Sequence, residues 1–259
     1  MARRLPPIDR SRVRTVSARR RPSKVHRAAE ARPWSPGGSL QRFLDGLPAI
    51  LAAADLRAAI EATARARARK RTLLWGFGAH LIKVGLAPVM VDLMERGFVS
   101  ALMMNGAGCV HDLELAMMGR TSEDVGPALD DGSFGMARET TERLNAAIAA
   151  GHRDFETLAG LVARLEGGVY WNVGSAVILP EVFLKALALA RNLGFRVRRV
   201  TTVNLDFQRQ YRPTVNVVER PTRLGGRGIS LLGPHEILLP LVAAALVERD
   251  RAGRRRSRR

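Results

Sequence analysis

Cysteine is almost absent from this chain of 259 residues: Cys109 is the only one, so an internal disulfide is excluded. No apolar run reaches the roughly 18 residues that a membrane-spanning helix needs, and the amino terminus lacks the apolar segment of a secretory signal. Lysine is scarce too, because 38 of the 42 basic residues are arginine. Together these absences predict a protein of the reducing cytoplasm.

What the chain has in excess is positive charge at its two ends. The formal net charge is +18, of which residues 1–34 contribute +9 and residues 250–259 contribute +5. We therefore predict a disordered basic extension over 1–36, a single folded domain over 37–249 and a disordered basic tail over 250–259. Basic tails can bind nucleic acid, and that class of partner is expected only through these tails.

The stretch 73–121 predicts the fold. Two short apolar runs, Leu73–Trp75 and Val99–Met104, each end in a glycine-containing turn and are each followed by apolar residues at helical spacing. The turns are Gly76-Phe77-Gly78 and Asn105–Gly108. The pattern of strand, turn and helix, given twice, predicts an α/β fold with a doubly wound, mostly parallel sheet of the Rossmann-like kind. Ligands of such sheets bind outside the carboxyl ends of the strands.

The rest of the chain supplies the remaining elements. Ser39 predicts a helix cap, and Gly174-Ser175-Ala176 follows a predicted third strand. The other predicted elements are helices over 54–70, 135–150, 154–166, 180–192 and 237–248, a glycine loop over 130–135, and strands over 169–173, 196–203 and 215–218.

Candidate site residues cluster at the predicted turns and strand ends. Lys83, His80 and His111 are the candidate catalytic residues. The candidate cofactor-binding residues are Gly76, Gly78, Asn105, Gly106, Gly108, Asp112, Gly174, Ser175, Thr201 and Thr202. The candidate substrate-binding residues are Glu114, Asp206, His235 and Glu236. No metal site is predicted, because the acidic and histidine residues around His111 are too closely spaced in sequence to form one metal-binding face.

Each candidate has a plainer interpretation that stays open. Lys83 could form an imine or transfer a proton, but it could also anchor an anion or be solvated. His80 could be a turn histidine, and Asp112 could cap a helix instead of binding a ribose hydroxyl or an amine. His235 and Glu236 could simply cap the last helix. The segment GFGAHL lacks the third glycine of a dinucleotide-binding fingerprint, so it is no independent sign of NAD.

Five segments resemble the deoxyhypusine synthase family. They are GFGAHLIKVGL (76–86), MNGAGCVHDLEL (104–115), DDGSFGM (130–136), VGSAVILPEVFLKALALARN (173–192) and HEILLPLVAAAL (235–246), and they span most of residues 38–248. The resemblance implies a fold of that family's type, NAD bound across the glycine turns at a subunit interface, spermidine as substrate and a homotetramer. It also implies a lysine that carries the aminobutyl group as an imine.

That lysine is missing at the place the resemblance gives for it. Its position falls at or next to Leu179, and leucine cannot form an imine. We therefore predict a divergent NAD-dependent enzyme acting on an amine or polyamine. One alternative is aminobutyl transfer from spermidine through Lys83 or another lysine. A second is a scaffold without catalysis that binds nucleic acid through its basic tails.

Overall fold

A computed structural model describes residues 11, 13–123, 137–140 and 151–256. Its centre is a sheet of five parallel strands in the order β2-β1-β3-β4-β5. The strands are β1 (Leu73–Phe77), β2 (Ala101–Met104), β3 (Val169–Val173), β4 (Thr201–Asp206) and β5 (Arg227–Leu232). The predicted parallel, doubly wound sheet is confirmed. This strand order reverses between β1 and β3, which is the point where such folds bind their ligands.

Helices cover both faces of the sheet. They are α1 (Leu40–Gly46), α2 (Leu51–Ala68), α3 (His80–Lys83), α4 (Ala87–Glu95), α5 (Gly106–Met118), α6 (Gly151–Val162), α7 (Ile178–Asn192) and α8 (His235–Arg256), with a 3-10 turn at Arg27–Ala29. The predicted cap of α1 is confirmed, since the Ser39 hydroxyl accepts a hydrogen bond from the amide of Arg42 at 3.2 Å. The glycine loop predicted over 130–135, and most of the helix predicted over 135–150, lie outside the described residues.

Alternate residues of β1 and β3 build two cores, one on each face of the sheet. Leu73, Trp75 and Phe77 pack with α2 and α8, whereas Leu74 packs with α6 and α7. The rings of Trp75 and Trp171, which are paired in the sheet register, stack at 4.7 Å between centroids. Both indole N–H groups are satisfied, by the Phe98 carbonyl and the Thr63 hydroxyl. Both faces of the central strands β1 and β3 are therefore buried.

Two predicted strands were misplaced. The run 215–218 is part of a π-helix, Thr214–Glu219, that continues a short helical segment from Tyr211. Its valines suit a buried helical face as well as a strand, and the Thr202 hydroxyl donates to the Val217 carbonyl at 2.6 Å. The fifth strand is instead β5, in which Gly228 lets the π-helix approach: a Cβ there would lie 2.1 Å from the Val218 carbonyl oxygen. The fourth strand starts at Thr201 and not at 196.

The last helix is longer than predicted and crosses the sheet. It was expected to end near 248, but α8 continues to Arg256. His235 at its start contacts the Leu205 carbonyl at the carboxyl end of β4, and Asp250 pairs with Arg67 near the amino end of β1. The helix therefore joins the carboxyl edge of the sheet to the amino edge. No helix in the described ranges has the length and apolarity for a membrane crossing.

Candidate functional site

The loops after β1 and β3 meet in backbone contact at the switch point of the sheet. The amide of Gly78 donates to the Val173 carbonyl at 3.0 Å. A Cβ at Gly78 would lie 2.5 Å from the Gly174 carbonyl oxygen, and Gly174 has a φ of +65°, where side chains are strained. The close packing of the two loops thus requires glycine at 78, and the left-handed backbone favours glycine at 174. The Gly78 amide is also already bonded, so it is not free to hold a ligand.

The second glycine turn is the start of a helix. Asn105 is the N-cap of α5, and its side-chain oxygen accepts from the Gly108 amide at 3.0 Å. The pattern of the sequence predicts a helix that begins near His111, but the helix begins at Gly106, and Asp112 is an exposed helix residue that does not act as its cap. Nothing lies within 4 Å of a Cβ built on Gly106, so the first turn of α5 has open space beside its unpaired amides.

Gly76 has a packing role. It lies within β1, paired with Met103 of β2, and not in the turn that follows. A Cβ on Gly76 would meet the Met103 side chain at 3.0 Å and the Tyr170 hydroxyl at 3.1 Å. The space that a side chain at Gly76 would need is occupied by these two neighbours, and buried Gly76 offers no surface to a cofactor.

Three rings and a carboxylate gather where β1, β4 and β5 end. The rings of His80, Phe207 and His235 lie 5.3 to 6.0 Å apart. Asp206, the last residue of β4, is only 2 % exposed. Its carboxylate oxygen accepts from the Phe207 amide at 2.8 Å. We call His80, Asp206, Phe207 and His235 the edge cluster.

The protonation of His235 follows from its contacts. His235 is 1 % exposed, and its Nε2 lies 3.3 Å from the Leu205 carbonyl oxygen. A carbonyl can only accept, so Nε2 carries the proton and, in the neutral ring, Nδ1 carries the lone pair. Nδ1 is buried and has no partner among the described residues. The cluster therefore contains an unpaired imidazole base.

Burial sets the acid–base properties of the cluster. It lowers the pKa of His235 below its ordinary value, while the Asp206 charge and the Leu205 carbonyl oppose this. Burial also raises the pKa of Asp206, against the effect of the Phe207 amide and of the nearby histidines. Neutral His235 and a carboxyl group of raised pKa thus lie together. Such tuning by environment is typical of groups that exchange protons.

His111 and Glu114 belong to a different network, on α5. Thr121 donates to Glu114 Oε2 at 2.5 Å, and the same hydroxyl lies 2.7 Å from His111 Nδ1. Thr140 donates to the other Glu114 oxygen at 3.3 Å. These bonds hold the chain that follows α5 against the helix. No hydrogen bond or ion pair found among the described residues joins this network to the edge cluster.

The remaining candidates are scattered. Lys83 is exposed on α3, three residues from His80, and Glu236 is exposed in the first turn of α8. The hydroxyl of Ser175 accepts from the amide of buried Leu179 at 3.3 Å and so satisfies one amide in the first turn of α7. Thr201 and Thr202 begin β4 and lie at the amino edge, at the opposite end of the strand from Asp206.

Phe207 is the one member of the edge cluster that the sequence did not single out. The available signal was its place directly after Asp206 at a strand end. Cys109, exposed near the start of α5, has a raised pKa because of partial burial and the charge of Asp112, which disfavours its reactive thiolate form. A cavity of about 540 Å³ lies between the segment 31–35 and α1, away from the edge cluster.

No protein-family model matches the chain, and no curated protein matches it in sequence. Solved structures do resemble its fold. A conserved LOR/SDH protein from Methanococcus maripaludis S2 is 13 % identical at a TM-score of 0.50, over 78 % of this chain and 71 % of that one. ArgZ, an arginine dihydrolase from the ornithine–ammonia cycle in cyanobacteria, is 15 % identical at 0.50, over 75 % of this chain and 33 % of that one.

A third structure, the ternary complex of AgrE with ornithine and NAD+, is 14 % identical at a TM-score of 0.46, over 75 % of this chain and 33 % of that one. At this score it carries no argument. This chain spans about a third of the length of ArgZ and AgrE. At such low identity, the likeness to the LOR/SDH protein and ArgZ shows the fold alone, a Rossmann-like α/β fold. None of the three is a deoxyhypusine synthase, and that part of the resemblance stays a prediction from sequence.

Proposed function

We propose that the carboxyl edge of the sheet binds NAD and that the protein is an NAD-dependent enzyme acting on an amine, such as an amino acid or a polyamine. The observation that carries this proposal is the edge cluster. It places an unpaired imidazole base, a buried carboxyl group and an exposed histidine at the carboxyl ends of three strands. In this fold that edge is where cofactors and substrates bind.

The start of α5 fits a dinucleotide. The amides of Gly106 and Ala107 have no acceptor among the described residues, and the space beside Gly106 is open. Phosphate oxygens bind readily to such amides, because the helix dipole also favours a negative charge there. The loop at Gly174 and Ser175 would border the same cofactor across β1. When bound, NAD supplies a hydride acceptor.

The edge cluster supplies what an amine substrate needs. Amines are protonated at neutral pH, so the nitrogen must lose a proton before the neighbouring carbon can give up a hydride. The exposed ring of His80 can take that proton, and the buried His235 ring lies behind it at 5.3 Å between centroids. A charged Asp206 would attract the ammonium form of the substrate.

Amine oxidation is preferred to aminobutyl transfer. Transfer through an imine needs a lysine in the site, and buried Leu179 occupies the place that the family resemblance gives for it. Lys83 is the alternative lysine, but it is exposed and has no partner in the described ranges that would hold it towards the edge cluster. The homotetramer implied by the resemblance stays a prediction.

The test is NAD binding to a variant with the open space filled. Gly106→Val places a branched side chain where the phosphates would lie, and it replaces a helix residue of low propensity. We expect the unliganded variant to fold at least as well as the wild type. NAD at 100 times its dissociation constant should stabilise the wild type by about 2.7 kcal/mol and the variant by much less.

Gly160→Val is the matched control. Gly160 also lies in a helix, with nothing within 4 Å of its Cβ, but it is in α6. NAD should stabilise this control as it does the wild type, in thermal unfolding and in calorimetric titration. Absence of any effect of millimolar NAD on the wild type, or an equal effect on both variants, would refute the proposed cofactor site.

A further inference from the structure

The amino edge of the sheet is strongly basic. The five segments that lead into the strands are 69–72, 96–100, 163–168, 193–200 and 220–226. These 30 residues include ten lysines and arginines and a single acidic residue, Glu166. The 13 residues that directly follow the strands include one arginine, Arg209. An overall preference for arginine would enrich both edges to the same degree. The difference between the edges is therefore a property of the amino edge and does not follow from composition alone.

Most of this charge is not neutralised within the protein. Glu166 pairs with Arg199 at 2.8 Å. Although burial opposes it, the hydrogen bonds from Arg199 and Arg198 lower the Glu166 pKa to about 2, so this carboxylate is fully used. Seven of the ten side chains have no hydrogen-bond acceptor or ion pair among the described residues: Arg69, Lys70, Arg71, Arg164, Arg196, Arg198 and Arg223. A bound polyanion would relieve the repulsion among these cations.

The basic side chains surround a concave surface and not a single point. Arg65, Arg69, Arg71 and Arg199 line a cavity of about 360 Å³. A second cavity, of about 530 Å³, lies between Arg191, Arg196 and Leu224. Arginines in the last turns of α2 and α7 complement the dipoles of those helices. The loop arginines lie beyond those turns, so the helix ends do not account for them.

The width of the edge indicates the ligand. Five strands about 4.8 Å apart span roughly 19 Å, so several phosphates along one nucleic-acid strand can lie against this edge together. Phe195 lies among these arginines and is 52 % exposed. An exposed ring between cations is the arrangement on which unpaired bases stack.

We propose that the amino edge of the sheet binds single-stranded nucleic acid, through its phosphate backbone and by stacking of a base on Phe195. This surface is formed by the folded domain and is separate from the basic termini. It is also at the opposite end of the strands from the proposed cofactor site. The two proposals therefore stand or fall independently.

The test compares two variants of the full chain that lose the same charge. The edge variant combines Arg69→Gln, Arg71→Gln, Arg198→Gln and Arg223→Gln. The control variant combines Arg14→Gln, Arg19→Gln, Arg20→Gln and Arg21→Gln, in the basic extension. Fluorescence anisotropy with a labelled 20-nucleotide single strand, of DNA and of RNA, is measured between 50 and 400 mM salt, and circular dichroism confirms that both variants fold.

The slope of log K against log salt is negative, and each phosphate contact on a single strand contributes roughly −0.7 to it. With four arginines replaced, we expect the slope of the edge variant to be less steep by about 3. The same contacts correspond to a loss of affinity of up to several hundred-fold at 0.1 M salt. The control should keep most of the wild-type slope. Phe195→Ala should weaken binding without changing the slope, because stacking releases no counterions.

Three results would overturn the assignment. They are a wild type that binds no oligonucleotide, equal losses in the edge and control variants, and a loss confined to the control variant. Binding to vesicles of anionic lipid without binding to either oligonucleotide would identify a membrane surface as the partner and would also overturn it.

Discussion

Gly174 is the position where a single added methyl group should disturb the edge cluster most. The residue has a φ of +65°, and a Cβ built on it would lie 2.6 Å from Cε1 of His235 and 3.2 Å from its Nε2. His235 has no free space to retreat into, because its ring is buried and held at the Leu205 carbonyl. Gly174→Ala therefore combines backbone strain with a collision against a buried ring.

The expected loss of stability is the sum of two parts. The left-handed backbone conformation costs a residue with a Cβ about 1–2 kcal/mol. Forcing a methyl group into a closely packed site costs about 1–3 kcal/mol more. Gly174→Ala should thus lower the free energy of unfolding by about 2–5 kcal/mol, measured as a shift of the urea unfolding midpoint at constant m value.

Gly119 provides the control for the backbone part. Its φ is +66°, nearly identical to that of Gly174, but nothing lies within 4 Å of its Cβ. Gly119→Ala should therefore cost about 1–2 kcal/mol from backbone strain alone. The excess cost at Gly174 should disappear in a His235→Ala background. Equal losses for the two alanine substitutions, or an excess that persists without His235, would show that the ring does not press on Gly174.

Two further substitutions test buried polar groups in and beside the sheet. The pKa of His235 is lowered from its ordinary value of 6.5, so the unfolded chain takes up the proton first, and the free energy of unfolding should fall as the pH drops below about 6.5. The pKa of Asp206 is raised, so its protonation in the folded state increases the free energy of unfolding at lower pH. Urea midpoints from pH 7.5 to 5.0 should fall less steeply in His235→Gln than in the wild type. Identical profiles would contradict the burial of a neutral imidazole. The Tyr170 hydroxyl is buried without a partner among the described residues, so Tyr170→Phe should leave the urea midpoint unchanged or stabilise by up to about 1 kcal/mol. A loss above about 1 kcal/mol would reveal a hydrogen bond to this hydroxyl.

The sheet was predictable because its signals are local. The run Val169–Val173 is apolar or aromatic at four of its five positions and lies between glycines, and its bounds are those of β3. The turns after the first two strands were recognised from their glycines. Their functions were not, because Gly78 is fixed by contact with Gly174, nearly a hundred residues later. A sequence pattern shows that close approach is needed, but not which backbone approaches.

The candidate site was predictable only in part. Asp206 and His235 were named from their places at a strand end and a helix start, and the fold brings them together. Thr201 and Thr202 were assigned to the cofactor, but the fourth strand begins at Thr201, which puts both at the far edge. A register error of five residues along a strand moves a side chain by about 16 Å. An error of this size in where a strand begins is thus enough to assign a residue to the wrong edge of the sheet.

The 22 residues of α8 make it roughly 33 Å long, enough to reach from one end of the strands to the other. Its first residue, His235, contributes a ring to the proposed amine site, and Asp250 near its other end pairs with Arg67 at the opposite edge of the sheet. Pro240 lacks an amide proton, so the backbone bond it would have made to the Glu236 carbonyl is absent, one turn after His235. The helix is therefore continuous between the two edges but lacks one backbone hydrogen bond close to the His235 ring. A shift of α8 along its axis would therefore move His235 at one edge of the sheet and Asp250 at the other edge together.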